Sequence, residues 1–202
     1  MVEKIERLRI LWQLDQGDHI DLFFADEAGC QLIPNIPYGW QAKGEYVRML
    51  PRKGKTLRIF GLLRTDDRLI SYPTEDRTNA DFIIQSLDRF VQKIDKPTVM
   101  VLDNAPIHRA TKMKAKIVQW QQQGLFIFFL PKYAPHLNRI ETLWRKMKYE
   151  WLHHKDYKSW TTLTKAVKNI LAAFGSDRFN IQLANLIIKF NFKNYLSQTN
   201  AS

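Results

Sequence analysis

Lys96-Pro97-Thr98-Val99-Met100-Val101-Leu102-Asp103-Asn104 is the stretch that decides the fold. After the proline comes a continuous apolar run, Val99 to Leu102, and it stops on a carboxylate. An apolar run without alternation suits a strand buried on both faces, as in a parallel sheet covered by helices. The core strand fixes the backbone, so an acid just beyond it is held rigidly. Open α/β sheets place their sites at such carboxyl ends.

Working outward, His19-Ile20-Asp21-Leu22-Phe23-Phe24-Ala25 is a second buried-strand candidate, followed by Asp26. Leu125–Leu130 is a third, ended by Pro131. Thr56–Arg64 and Arg68–Tyr72 flank Thr65-Asp66-Asp67, which predicts a hairpin. Residues 31–54 hold three prolines with Gly39, Gly44 and Gly54, and read as loop with a short edge strand around Tyr46–Met49. A first helix is predicted over 3–15, with Ile5, Leu8, Leu11 and Trp12 on one side. Asn79 caps a helix through Gln92 that turns Phe82, Ile83, Leu87, Phe90 and Val91 inward. Further helices are expected from Arg109 to Gln123, stopped by Gly124, from Asn138 to His153, and over 161–174 and 180–196. This order predicts an α/β fold, a mixed five-stranded sheet with helices on both faces. The chain divides into an N-terminal helical remnant (1–18), a core (19–155) and C-terminal helices packing on it (156–202).

The 202 residues suggest one domain with a substantial core. Lys and Arg number 31 against 20 Asp and Glu, a net charge of +11. That excess points to a polyanionic partner, nucleic acid before an anionic membrane surface. No apolar run approaches the ~20 residues that span a bilayer, so no membrane is expected. The single cysteine, Cys30, forbids an intrachain disulfide and suits a reducing, cytoplasmic setting.

Asp26, Asp103 and Glu141 can converge, two from strand ends and one from the first turn of a helix. A pair of carboxylates at ~4 Å repels by roughly 4 kcal/mol at an effective dielectric of 20. Such a cluster persists only when protons or cations neutralise it, and Mg²⁺ or Mn²⁺ prefers oxygen ligands. On the helix from Asn138, Ile140, Leu143, Trp144, Met147 and Trp151 must pack inward, while Glu141, Arg145, Lys148 and Leu152 form an adjacent stripe. Metal at one end and phosphate-binding cations along the rest is one reading. A solvated face with an ion pair between Glu141 and Arg145 is the other.

Three frames bear on that choice. Phe24-Ala25-Asp26-Glu27, then Leu102-Asp103-Asn104-Ala105-Pro106-Ile107-His108, then Leu130-Pro131 through Tyr133, Pro135, Leu137, Asn138, Ile140, Glu141 and Trp144, follow one another in order. Together they resemble the catalytic domain of DDE transposases, in the bacterial insertion-sequence branch (insertion sequence 630 type) of the mariner superfamily. The resemblance runs from about residue 19 to 155. Ala134, His136 and Arg139 stand where many relatives have Ser, an acid and Pro.

The resemblance implies an RNase H-like fold and metal-dependent cleavage and strand transfer of double-stranded DNA, at transposon ends and target. It implies two Mg²⁺ or Mn²⁺ ions held by Asp26, Asp103 and Glu141, with Asp26 bridging, and no small-molecule cofactor. Glu27 either tunes the site or is a solvated neighbour. Asn104 bonds Asp103 or substrate, or shapes a turn. His108 contacts the scissile phosphate or shuttles a proton, or it bonds backbone at the helix entry. Asn138 caps its helix and contacts DNA. Lys132, Arg139, Arg145 and Lys148, with Tyr133, Lys146, Lys155 and Lys158, are the phosphate-contact candidates. Trp40 stacks on an unpaired base or packs against the domain. A homodimer and a nucleoid-associated location follow from the same likeness. The roughly eighteen residues ahead of the first strand are too few for a helix-turn-helix module. That keeps two alternatives open: a catalytically incompetent DNA-binding remnant or regulator, and a nuclease that only hydrolyses.

Overall fold

The computed structural model describes residues 2–33, 54–132 and 134–174. Strands β1 (Asp21–Gln31), β2 (Thr56–Arg64), β3 (Leu69–Thr74), β4 (Thr98–Leu102) and β5 (Leu125–Phe129) form one sheet in the order β3-β2-β1-β4-β5. The first three strands pair antiparallel, and β4 and β5 add in parallel to β1. Helices α1 (Val2–Gln16), α2 (Ala80–Val91), α3 (Thr111–Gln122), α4 (Arg139–Lys146) and α5 (Trp160–Ala173) cover both faces. The mixed five-stranded sheet read from the sequence is the one observed.

Every residue of β4 is buried, as a run without alternation demands. Successive side chains leave a strand on opposite faces. Val99 and Val101 therefore join Leu22, Phe24 and the apolar side chains of α1, α4 and α5. Met100 and Leu102 join Phe23, Ala25 and those of α2 and α3. Two apolar layers thus sandwich the sheet.

Strand β1 runs further than its apolar stretch. Antiparallel pairing with β2 continues from Phe23↔Arg64 to Gln31↔Thr56, so the chain stays extended through Asp26 and beyond. Asp26 therefore lies inside a strand rather than at its end. Pairing with β4 covers only Asp21 to Phe24, leaving the rest of that edge of β1 beyond the parallel ladder. Cys30, on this far stretch, is 4% exposed, and burial pushes its thiol up to about 11.

Asn79 caps α2 as expected, its Oδ1 accepting the Phe82 N–H at 2.9 Å, a contribution of about 1 kcal/mol. Helix α3 starts later than predicted, at Thr111, because a 3₁₀ turn over Pro106–Arg109 precedes it. Gly124 closes it with φ +90°, a left-handed value suited to glycine. Helix α4 passes into a π turn over Met147–Trp151, where the Leu152 N–H reaches back to the Met147 carbonyl at 3.1 Å.

Helix α1 is seated on the sheet. Ile5 and Leu8 are buried with the α4 and α5 side chains. Lys4 Nζ donates to the Phe129 carbonyl at 2.8 Å. At the other end, buried Asp15 accepts the Leu22 N–H at 2.9 Å and the Thr65 hydroxyl at 2.6 Å. The edge strand expected at Tyr46–Met49, Trp40, Tyr133 and the helix expected over 180–196 lie outside the described residues.

Candidate active site

The parallel register aligns Phe24 with Val101, and continuing it two residues brings Asp26 level with Asp103. Asp103 leaves β4 at once into a turn in which its Oδ1 accepts the Ala105 N–H at 2.9 Å. Its side chain is 45% exposed. Asn104 does not bond Asp103: its amide donates to the Leu130 carbonyl at 3.0 Å and ties this turn to the end of β5.

The third acid comes from α4, and two contacts bring it in. Asp26 pairs across the sheet with Gly61 on β2. A Cβ at Gly61 would lie 2.6 Å from the Trp144 ring and 2.9 Å from Ile140 Cδ1, so the missing side chain is what lets α4 approach the sheet. Asn138 stands at the N-cap position, yet its side chain makes no capping bond. Instead its amide donates to the Ala25 carbonyl at 3.0 Å, clamping the start of α4 beside Asp26. The side chain thus serves the sheet and not the cap expected of it, and the Asn138 backbone carbonyl accepts the Glu141 N–H at 3.1 Å. Glu141 then faces a cleft of about 420 Å³ with Asp103, Asn104, Lys132 and Asn138 among its lining residues.

The carboxyls sense one another. Burial, then the charges of Glu141, Glu27 and Asp103, push Asp26 up to about 8. Burial and Asp103 also raise Glu141, with Lys148 opposing. Mutual repulsion on this pattern is what a cation would relieve, and an all-oxygen donor set fits a hard divalent ion. The side chains are not drawn into a finished cage: among the described residues no three His, Cys, Asp or Glu groups are gathered as a metal-holding cluster.

His108 is 1% exposed, with Nε2 3.3 Å from Asp103 Oδ1 and 3.5 Å from Glu27 Oε2. It lies between two acids, and its Nε2 faces their carboxylates rather than the backbone. Glu27, 23% exposed, is its neighbour rather than a free surface charge. Lys132 and Arg145 are exposed and Lys148 partly so, leaving all three in reach of a ligand. Lys155 and Lys158 are exposed as well, whereas Lys146 is buried and paired with Glu150 at 2.8 Å. Arg139 departs from the expectation. It is 3% exposed and paired with Asp67 Oδ1 at 2.5 Å, because its aliphatic stem and guanidinium turn toward α1 and not toward the cleft. Asp15, Asp67 and Gly61 were missed as site supports. For Gly61 the signal was present: a lone glycine inside Ile59-Phe60-Gly61-Leu62-Leu63 marks a close approach.

The DDE superfamily endonuclease family matches residues 21–164, a span that holds all three acids. The chain belongs to that family. An uncharacterized 39 kDa protein of insertion element IS630 from Shigella sonnei is 22% identical over 155 residues, 74% of this chain and 44% of that protein. Among solved structures, the Mos1 strand transfer complex superposes with a TM-score of 0.60 at 15% identity, over 85% of this chain and 52% of that one. A Mos1 mariner paired end complex with Mn gives 0.59 at 17% identity, over 85% and 54%. The isolated catalytic domain of Mos1 mariner transposase gives 0.55 at 15% identity, over 85% and 79%. The DDE chain described here has the RNase H-like fold of those catalytic cores, and it spans under half the length of its curated relative. No helix among the described residues is long and apolar enough to cross a membrane.

Proposed function

We propose that this DDE-family chain is the catalytic domain of a transposase that cuts DNA strands and joins them to a target with divalent metal. One observation carries the reading. The β1/β4 register sets Asp26 level with Asp103, the Asn138 amide on the Ala25 carbonyl holds the start of α4, which carries Glu141, beside Asp26, and burial together with the charges of Glu141 and Asp103 raises the Asp26 carboxyl. Three acids from three elements therefore share one electrostatic site, and their family frames accompany them in order.

Asp26 and Asp103, set level by the β1/β4 register, and Glu141 on α4 would together hold Mg²⁺ or Mn²⁺. Such ions, when bound, supply charge neutralisation at the phosphate and activate water or a 3′-hydroxyl. The protein's share is positioning. Burial raises Asp26, so its ionised form would be the one that holds a cation, and Glu141 lies exposed on its helix at the cleft. His108 and the Ala105 N–H fix the Asp103 carboxylate from two directions. Asn104 keeps the cleft rim closed against β5. Lys132, Arg145 and Lys148 meet phosphates, which gives affinity without sequence reading. No nucleophilic side chain is required. The paired-end form of the Mos1 complexes, including one with Mg, supports a homodimer on DNA and divalent metal use here.

The deciding experiment is cleavage of end-labelled element DNA with Mg²⁺ or Mn²⁺, comparing wild type with Asp103→Ala. Cleavage by wild type alone is expected, and equal behaviour of the two proteins removes the enzyme reading. Supplying a target duplex separates the joining reaction from hydrolysis alone, because only joining yields branched products.

A further inference from the structure

We propose that Arg139 is a positioning residue for Glu141, its buried guanidinium locking the first turn of α4 to α1 and to the β2–β3 turn. The inference rests on the metal-site reading above. Arg139 Nη2 meets Asp67 Oδ1 at 2.5 Å, and Nη1 donates to the Thr65 carbonyl. The guanidinium carbon lies 5.8 Å from the centre of the Trp12 ring, on α1. Thr65 in turn donates its hydroxyl to Asp15 at 2.6 Å, which closes the network back onto the end of α1.

Two features argue that this arrangement is there for geometry rather than for stability alone. Arg139 Nε is buried with no hydrogen-bond partner, and Asp67 holds a left-handed φ of 68°. A buried ion pair with an orphan donor is a poor stabiliser, and an apolar side chain of equal volume would serve a core as well. What the charged fork adds is direction, since a planar guanidinium fixes both distance and angle to its partners. Arg139 and Glu141 are two residues apart, so their side chains leave the helix roughly 200° apart. Gripping one therefore sets the rotation that aims the other. Asn138 holds α4 to β1, Trp144 rests over Gly61 on β2, and Arg139 supplies the third anchor, to α1 and the hairpin.

The test measures Mn²⁺ binding to the intact protein by electron paramagnetic resonance, beside kcat and KM for DNA cleavage. In Arg139→Met, Mn²⁺ affinity falls about tenfold, the low end of the loss seen when a ligand's support is removed, and kcat falls while KM for DNA holds. Arg139→Lys restores part of the affinity, and Asp67→Asn reproduces the loss. The Arg139→Met, Asp67→Asn double variant is no worse than the single ones, because both cut the same link. Val167→Ala, in the core of α5, lowers melting temperature and leaves Mn²⁺ affinity unchanged. Unaltered Mn²⁺ affinity in folded Arg139→Met and Asp67→Asn overturns the proposal and reduces Arg139 to a packing residue. If Arg139→Met does not fold, Asp67→Asn decides by the same rule. Absence of Mn²⁺ binding in wild type sinks the metal-site reading itself, and this inference with it.

Discussion

On the sheet side of the cleft, Asp26 and Asp103 ride on backbone whose place is set by strand register. On the helix side, Glu141 owes its place to side chains: Asn138 on the Ala25 carbonyl, the Trp144 ring over Gly61, and Arg139 on Asp67. The sheet wall is built from repeated hydrogen bonds that no single substitution abolishes. The helix wall hangs on a few contacts, each of which one substitution removes. The two walls should therefore fail differently, the first by losing its chemistry in place and the second by moving.

The largest effect probes the sheet wall. Asp103→Ala should reduce strand cleavage by about a thousandfold while the melting temperature falls only slightly, since the side chain is half exposed and outside the ladder. A collapse of stability alongside the activity would show that the wall is not as rigid as its register suggests.

Next comes Gly61→Ala, aimed at the helix wall. The added methyl must displace Trp144 and Ile140, and overpacking of this kind costs about 1–3 kcal/mol. Cleavage should fall by up to about a hundredfold, because a carboxylate displaced by an ångström misses its task. Denaturant unfolding and a rate assay on the same sample separate the two losses. Normal cleavage in a destabilised Gly61→Ala would show that α4 need not lie close to the sheet.

The pH dependence contrasts the walls through Asp26. Its folded pKa is raised to about 8. The stability this group contributes is full below about pH 4, its unfolded value, and is lost as pH rises to about 8. Metal-free Asp26→Asn should melt higher than wild type at pH 8 and about the same at pH 4, by at most a few kcal/mol. Mn²⁺ should raise the wild-type melting temperature more at pH 8 than at pH 5, because loading requires the ionised form. An Asp26→Asn protein no more stable than wild type at pH 8 would deny the burial and crowded charge on which the comparison rests.

The smallest effect concerns the exposed end of the helix wall. Arg145→Ala should weaken DNA binding modestly and lower the salt slope by about 1, without changing cleavage once DNA is saturating. An unchanged slope would place the DNA path elsewhere.

Much of the sheet wall could be read from the chain. An unbroken apolar run before Asp103 means burial on both faces, and burial on both faces means a parallel, internal strand. The cap at Asn79 was equally plain, because a cap is a local bond. The extension of β1 through Asp26 was not, since its cause is pairing with β2, some thirty residues on. The helix wall was half legible. Its inward face follows from periodicity, but in sequence Arg139 looks like a phosphate contact, because a cation near an active-site acid resembles one. Only the fold reveals Asp67 waiting for it. Asn138 reads as a cap for the same local reason, while the carbonyl it serves is 113 positions away. Local bonds are written in short motifs, and long-range polar ones are not.

Cys30 has a practical consequence. Its thiol is 4% exposed and stays protonated at ordinary pH, so labelling reagents will find little thiolate there. A cysteine introduced on the outer rim, at Lys132 or Arg145, would be the reactive one in the described molecule. Spin labels, fluorophores or disulfide tethers to modified DNA can then be attached at a chosen point with the native background left intact.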